Sequence, residues 1–474
     1  MIGILLAAGR GTRMKSEDPK VLFPIGGAPM AAAPLRALGD ICQKIVVVVG
    51  YQAERVEAEL REVFASEFGS ELAREKLHFV LQKEQRGTGD AVRVAMAELG
   101  SAKESSVVVL NGDLPLVRAG IVKKMVQELE TRKLHSLCLS SLVMDPSGLG
   151  RIVRDARGVV ERICEEADAT ADLKTIKEVN SGIYAFNMEF LKSGLAELRS
   201  ENKQNEFYLT DLIGIARDKR RATDALVITG EDTEDLIGAN STWELARADQ
   251  IDQARWKRAL CESFGVLFVA ADSSYVERSV RFTGAAKIGP GTFLGGRSEI
   301  SRGVVIEGQA RVLNSKLAEA AQIKWGSVIT DSLVGARASV GPMAHLRPET
   351  ELKEDVKVGN FVETKKTVMH RGSKASHLSY LGDAEVGEES NIGCGTITCN
   401  YDGVNKHKTL IGKRVFVGSD SQIVAPVKIA DGAYVATGTT VTRDVPADAL
   451  AIGRARMEVK EGYAKRLLGM KSKK

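Results

Sequence analysis

Three groups of residues in this 474-residue chain have the types and the spacing to do chemistry. The first is Leu6-Ala7-Ala8-Gly9-Arg10-Gly11-Thr12-Arg13-Met14, with Pro19-Lys20 a few residues on. Two glycines let backbone N–H groups turn toward an anion, and Arg13 and Lys20 add positive charge. The run contains neither G-x-x-x-x-G-K-S/T nor G-x-G-x-x-G, so its residues alone fit a plain turn as well as a phosphate cradle. The second group is Asn111-Gly112-Asp113. A carboxylate at the end of a strand can hold magnesium and leave other positions to phosphate oxygens and water. It can equally cap a helix or close a turn. The third group lies in the back half: Arg347, Lys365 and the stretch His377-Leu378-Ser379-Tyr380-Leu381-Gly382-Asp383. Imidazole titrates near neutral pH and suits a general base, although a lone histidine is often structural.

The elements that position these groups follow from hydrophobic periodicity. Residues 2–6, 44–49, 77–81, 106–110 and 135–142 predict buried strands, and 53–68, 89–98 and 120–131 predict the helices between them. Such βαβ alternation predicts a Rossmann-like mixed, mainly parallel sheet covered on both faces, with ligands beyond the carboxyl ends of its strands. The glycine run and Asn111-Gly112-Asp113 both stand at such ends. Residues 240–264, dense in Ala, Arg, Glu and Gln, predict one long linker helix.

Beyond it the period becomes six. Branched apolar residues recur at Val276, Phe282, Ile288, Leu294, Ile300, Ile306 and Val312, and again at Val328, Val334, Val340, Leu346, Leu352 and Val358. The pattern continues at Val386 and Ile392 and closes with Ile411, Val417, Ile423, Ile429, Val435 and Val441. Hexads of this kind are the signature of a parallel β-helix, each short strand placing one apolar residue inward before the chain turns. Two breaks stand out: about four residues gained near 318–325, and a departure over 396–408 that predicts a projecting loop. The division expected is residues 1–239, a linker helix 240–264, a β-helix 265–453 and a basic tail 454–474.

Three hexads make one coil, so residues 18 apart stack at about 4.8 Å. Arg347 and Lys365 have that spacing. At an effective dielectric near 20, like charges about 5 Å apart repel by about 3 kcal/mol. Either an anion lies between them or the side chains splay into solvent. Ser419 and Thr437 share the spacing, and Cys394 holds the same hexad position. Small side chains there leave room for an extended ligand along the coils, or simply suit tight turns.

The run L-A-A-G-x-G-T-R-M followed by P-K resembles the sugar-nucleotide pyrophosphorylase family. Joined to the hexads, it resembles the bifunctional N-acetylglucosamine-1-phosphate uridylyltransferase/glucosamine-1-phosphate N-acetyltransferase family, from about residue 1 to about 460. The resemblance implies a nucleotidyltransferase domain followed by a left-handed parallel β-helix that packs as a homotrimer. It implies UTP, acetyl-coenzyme A and magnesium as substrates and cofactor, and a UDP-sugar product that feeds peptidoglycan and lipopolysaccharide. By resemblance, Leu6, Ala7, Ala8, Gly9, Arg13, Lys20, Gln82, Gly87 and Thr88 bind nucleotide, with Asn111 and Gly112 beside them. Asp113 and Asn240 hold the metal, although Asn240 alone reads as the cap of the linker helix. Gly150, Glu165 and Asn180 hold the sugar. In the β-helix, Arg347 and Lys365 bind the phosphate of glucosamine 1-phosphate, Tyr380 and Asn391 its sugar, and His377 is the base. Cys394, Asn400, Tyr401, Ser419, Thr437 and Arg454 contact acetyl-coenzyme A. The chain departs from the family at Glu165-Glu166-Ala167-Asp168-Ala169, where the pattern is E-x-K-D-A, and at Cys394 and Thr437, where alanine is common.

Composition excludes other classes. Lysine plus arginine (66) exceed aspartate plus glutamate (62) by four, and aromatics make up 5%, which gives no field for nucleic acid and no base-stacking platform. No apolar run approaches the roughly 18 residues that span a membrane, and residues 1–8, broken by Gly9-Arg10-Gly11, do not read as a signal peptide. Six scattered cysteines without a C-x-x-C pair suit a reduced cytoplasmic protein lacking disulfides and zinc. Two rivals stand beside the bifunctional reading: a nucleotidyltransferase whose β-helix is only structural or regulatory, and a binding scaffold without activity.

Overall fold

The computed structural model describes residues 1–100 and 105–469; residues 470–474 of the expected basic tail lie outside the described residues. The chain divides into two compact units, Met1–Arg255 and Trp256–Lys474, and the division falls within the helix Thr242–Phe264.

The sheet of the first unit has the strand order Thr223–Ile228, Ser136–Leu142, Glu178–Asn187, Ser106–Asn111, Ile2–Ala7, Lys44–Val49 and Leu77–Leu81. Neighbours are parallel except Glu178–Asn187, which runs antiparallel to the strand on either side. That strand is missing from the hydrophobic reading because its register shifts between Asn180 and Tyr184, which breaks the apolar period. Successive side chains of a strand face opposite ways, so unbroken runs of Val and Ile feed two cores. Leu5, Val47 and Val108 pack with Val56, Leu60 and Ile121 on one side. Ile4, Val46 and Val109 pack with Val92, Leu191 and Leu212 on the other. Leu6 pairs with Asn111 across the two central strands, which sets the glycine run and Asp113 side by side.

The second unit is a prism. Among the described residues it has three stacks of 11, 10 and 9 short parallel strands. The first face begins at Leu267–Phe268, the second at Tyr275–Val276 and the third at Arg281–Phe282. One side chain per strand points inward. On the first face these form the column Ile288, Ile306, Ile323, Val340, Val358, Ala375, Ile392, Val417, Val435, all of them buried. Coils approach so closely after the inward residue that a Cβ on Gly359 would overlap the Ser376 carbonyl.

The six-residue period holds to Val312 and then departs from expectation. The steps from Val312 to Leu317, Ile329 to Val334, Thr364 to Met369 and Leu381 to Val386 are each one residue short, and the coils containing them close in 17 residues. The inward residue is therefore Ile329, not Val328, and the apparent gain near 318–325 is a pair of one-residue deletions. Thr398 is also inward, paired with Ile423, so the loop that leaves the coil spans 400–408 rather than 396–408. Its hydroxyl donates to the Gly382 carbonyl at 3.1 Å, which satisfies a polar group at an apolar position.

Two expectations for stability follow from this packing. Gly359→Ala should lower the unfolding free energy by about 1–3 kcal/mol, since a backbone carbonyl cannot yield as a side chain does. Gly120→Ala, in a helix with open space around it, should be neutral or stabilising by up to about 1 kcal/mol; denaturant titration of both variants measures the contrast. The carboxyl of Asp211, first residue of the helix Asp211–Asp218, is pushed up to about 6 by burial and then by Asp168. The native state then holds that proton more tightly than the unfolded chain, so stability falls as pH rises from the ordinary carboxylate range through about 6. Asp211→Asn should be more stable than wild type at pH 7.5, with the difference shrinking at pH 4.

Candidate active sites

In the first unit the loops beyond the central strands gather charged groups far apart in sequence. Gly11 is left-handed (φ +71°), and a Cβ there would lie 2.5 Å from Lys20 Cβ. This glycine leaves room for the Lys20 side chain, whose Nζ lies 2.5 Å from Asp113 Oδ2 and 2.7 Å from Asn240 Oδ1. Arg13 Nη2 donates to the same Asn240 oxygen at 2.8 Å. A cationic nitrogen thus already sits between the two oxygens, and a carboxylate with an amide oxygen is a donor pair that suits a hard divalent cation.

The neighbouring segment carries Gln82, buried, whose Nε2 donates to the Gly87 carbonyl at 3.2 Å and to Asp90 Oδ2 at 2.9 Å. Thr88 Oγ1 accepts from Leu209 N at 3.0 Å. Gln85 Nε2 donates to the Ala8 carbonyl at 2.7 Å, which joins this segment to the glycine run. Gln85, between Gln82 and Gly87, is not among the residues that the sequence singles out, because nothing in a polar loop residue announces a main-chain partner 77 positions away.

Gly150, Glu165 and Asn180 also come together. Asn180 N donates to the Gly150 carbonyl at 2.8 Å, and a Cβ on Gly150 would lie 3.3 Å from Glu165 Oε2. Thr210 Oγ1 donates to Glu165 Oε1 at 3.1 Å. Burial pushes the Glu165 carboxyl up, against that hydrogen bond. Gly182, lacking a Cβ, gives the Asn111 amide room beside this group.

In the second unit, His377 ends a strand of the first face and is exposed. Its Nδ1 lies 2.8 Å from Asn360 Oδ1, one coil away in direct register. With Nδ1–H donating there, Nε2 keeps its lone pair. Sequence reasoning missed Asn360; the signal was a spacing of one coil, 17 residues, which a strict count of 18 skips. Cys394, Ser419 and Thr437 follow the inward residues Ile392, Val417 and Val435 and so form one column at the corner between the first and second faces. Arg454 Nη1 donates to the Thr437 carbonyl at 2.5 Å. Asn391 lies in register between Lys374 and Phe416 on the first face.

Arg347 and Lys365 follow Leu346 and Thr364, which pair directly, so both stand at the far edge of the second face. Lys406 crowds Lys365, and together with Arg347 lowers its pKa. Lys406 belongs to a hairpin in which Tyr401 bridges Lys406 and Asp402 accepts from the backbone N–H groups of Val404 and Asn405 and from His407. That third cation escaped the sequence reading because only the folded hairpin returns it to Lys365. Between the two edges, a Cβ on Gly382 would collide with the Tyr380 hydroxyl and approach Asn400 Nδ2 within 2.8 Å. Asn400 Nδ2 donates to Asp383 Oδ2 at 2.5 Å.

Comparison with known proteins agrees with this two-part layout. Residues 3–144 match the MobA-like NTP transferase domain, residues 276–369 the GMPPB C-terminal domain and residues 408–443 the hexapeptide repeat of succinyl-transferase. The chain is 45% identical to the bifunctional protein GlmU of Trichlorobacter lovleyi, over 97% of each chain. It is 44% identical to that of Sorangium cellulosum, over 98% of this chain and 96% of the relative. With GlmU of Listeria monocytogenes serotype 4a it shares 39% identity over 98% of each. Matched along nearly its whole length, through both the sheet and the prism, the chain belongs to the family of bifunctional GlmU proteins.

Proposed function

We propose that this enzyme makes UDP-N-acetylglucosamine in two steps, acetylating glucosamine 1-phosphate on the β-helix and then transferring uridylyl from UTP in the first unit. The observation that carries the two-activity reading is His377, oriented by Asn360 on a prism that also bears the cation group Arg347, Lys365 and Lys406. A β-helix serving only as a scaffold needs neither.

In acetyl transfer, the sugar phosphate rests against Arg347 and Lys365, with Tyr380 and Asn391 holding the ring. The C2 amine attacks the thioester carbonyl, His377 Nε2 takes the amine proton, and the coenzyme leaves as a thiolate. Cys394, Ser419 and Thr437 line the coenzyme, with Asn400, Tyr401 and Arg454 at its edges. Cys394 and Cys399 have no covalent role, since direct amine attack requires no acyl-enzyme. In uridylyl transfer, a phosphate oxygen of N-acetylglucosamine 1-phosphate attacks the α-phosphorus of UTP and pyrophosphate leaves. Leu6, Ala7, Ala8, Gly9, Gln82, Gly87 and Thr88 position the nucleotide, Gly150, Glu165 and Asn180 the sugar, and Arg13 and Lys20 offset the phosphate charge. Asp113 and Asn240 would hold magnesium, which supplies charge neutralisation to the phosphates.

We also infer a homotrimer. Met343, Phe361 and Leu378 project at successive coils, 48%, 60% and 61% exposed. A row of bare apolar side chains on one corner favours packing against another prism, and Leu378 would bring the neighbour beside His377. Six free thiols support a reducing cytoplasm, and among the described residues no helix is long and apolar enough to cross a membrane.

Assaying each reaction on each variant tests the division of labour. Asp113→Asn or Asn240→Ala should nearly abolish UDP-sugar formation and leave acetyl transfer near wild type; equal loss of both in folded protein contradicts the assignment. Within the acetyltransferase, His377→Ala should lower turnover about 100-fold or more with little change in KM. Arg347→Ala should chiefly raise KM for glucosamine 1-phosphate, a split that steady-state kinetics resolves.

A further inference from the structure

The three residues assigned to the sugar share one row of the sheet. Arg151 pairs with Cys164 on one side and with Val179 on the other. The next row outward therefore holds Gly150, Glu165 and Asn180, and Asn180 N donates to the Gly150 carbonyl at 2.8 Å. Gly150 and Glu165 stand just past the ends of their strands, Arg151–Arg154 and Val160–Cys164. The ladder between those two strands stops one residue short of them, so it does not itself set the separation of Gly150 from Glu165.

The Arg151 side chain bridges the two segments instead. Its Nη1 donates to the Leu149 carbonyl, immediately before Gly150. Its Nη2 donates to Glu166 Oε2 at 2.6 Å, immediately after Glu165. Lys174 Nζ meets the other Glu166 oxygen at 3.4 Å, and the bond from Arg151 leads the contacts that hold the Glu166 carboxyl below the usual carboxylate range. The Arg151 side chain is 2% exposed, and its Nε is buried with no hydrogen-bond partner among the described residues. A buried cation with an unmade bond costs stability, and an apolar side chain of similar length would fill the same space at lower cost. The arginine is therefore explained by what it holds rather than by the stability it adds.

We propose that Arg151 is a positioning residue for uridylyl transfer, tying Leu149 to Glu166 across the strand ends and so fixing Gly150 against Glu165. It touches no substrate and acts through those two neighbours. The inference rests on the assignment of Gly150, Glu165 and Asn180 to the sugar. A Cβ on Gly150 would lie 3.3 Å from Glu165 Oε2, so a small relative shift of the two segments changes the space open to a sugar ring. A guanidinium suits the task because its rigid planar fork donates in two directions at once, which an ammonium on a flexible stem does not reproduce.

Steady-state kinetics of the full chain with UTP and N-acetylglucosamine 1-phosphate, alongside thermal unfolding, tests it. Arg151→Met removes both bonds, leaves an apolar chain in the buried space, and leaves Glu166 paired with Lys174. It should raise KM for the sugar phosphate about tenfold. KM for UTP and acetyl transfer should stay near wild type, and the unfolding temperature should be no lower. Glu166→Ala should raise the same KM, and Glu166→Gln, which keeps an acceptor oxygen, should recover most of the loss. An unchanged KM for the sugar phosphate in Arg151→Met overturns the proposal. So does a rise that comes only with a lower unfolding temperature and a matching rise for UTP, the mark of a merely structural role. Should Arg151→Met not fold, the partly exposed Glu166 decides, since a wild-type KM in Glu166→Ala overturns the proposal equally. Glu165→Ala separates the two readings: an unchanged KM for the sugar phosphate there overturns the sugar-side assignment itself, whereas a raised KM there with no effect at Arg151 and Glu166 overturns the positioning role alone.

Discussion

The hydrogen-bonded stacking of each coil on the next is the constraint on which the second unit depends. Arg347 N bonds to the Thr364 carbonyl and Gly418 N to the Val435 carbonyl, each at the spacing of one turn of the prism. A one-residue slip would send every inward side chain outward, so the buried column and the surface columns are locked by the same bonds. The core thereby sets the chemistry of the exterior: because Leu346 must sit over Thr364, Arg347 must sit near Lys365. Two cations are thereby held on one edge of the prism, where Arg347 Nη1 also pairs with Glu363 Oε1 at 2.7 Å.

The first unit obtains a comparable result by the opposite route. Its charged centre joins Lys20 to partners 93 and 220 positions away, and no local repeat brings them together. The geometry comes from two adjacent parallel strands, Ile2–Ala7 and Ser106–Asn111, that release their loops at the same edge. Asn240 arrives just before the helix Thr242–Phe264, where Glu244 Oε2 accepts from Asn240 N and Ser241 N. The Asn240 side chain is thus left to face Lys20 and Arg13, a helix-start residue whose amide looks away from its own helix.

Much of this was legible in the residues because the relevant periods are written in apolar side chains. Ile288, Ile306, Val340 and Val417 announce the prism, and Val46 through Val48 a strand buried on both faces. What escaped shares a physical cause. Thr364 and Thr398 point inward with their hydroxyls bonded inside the coil, so an apolar search passes over them, and the one-residue deletions shift the pattern without marking themselves. Asn360 and Lys406 are ordinary polar residues in sequence and acquire meaning only from what stands one coil away. The antiparallel strand Glu178–Asn187 was hidden by its own irregularity at the residues that bring Asn180 to Gly150.

The hairpin at 400–408 shows how such a prism accommodates an insertion. Before it, Ala384 pairs with Thr409 and Ile392 with Val417, so the stack closes across the insertion as though the extra residues were not there. The cost of lengthening a closed loop grows only with the logarithm of its length, and no buried side chain is displaced. Each corner of the solenoid is consequently a port where a segment can be let out over a face while the stack beneath it keeps its register.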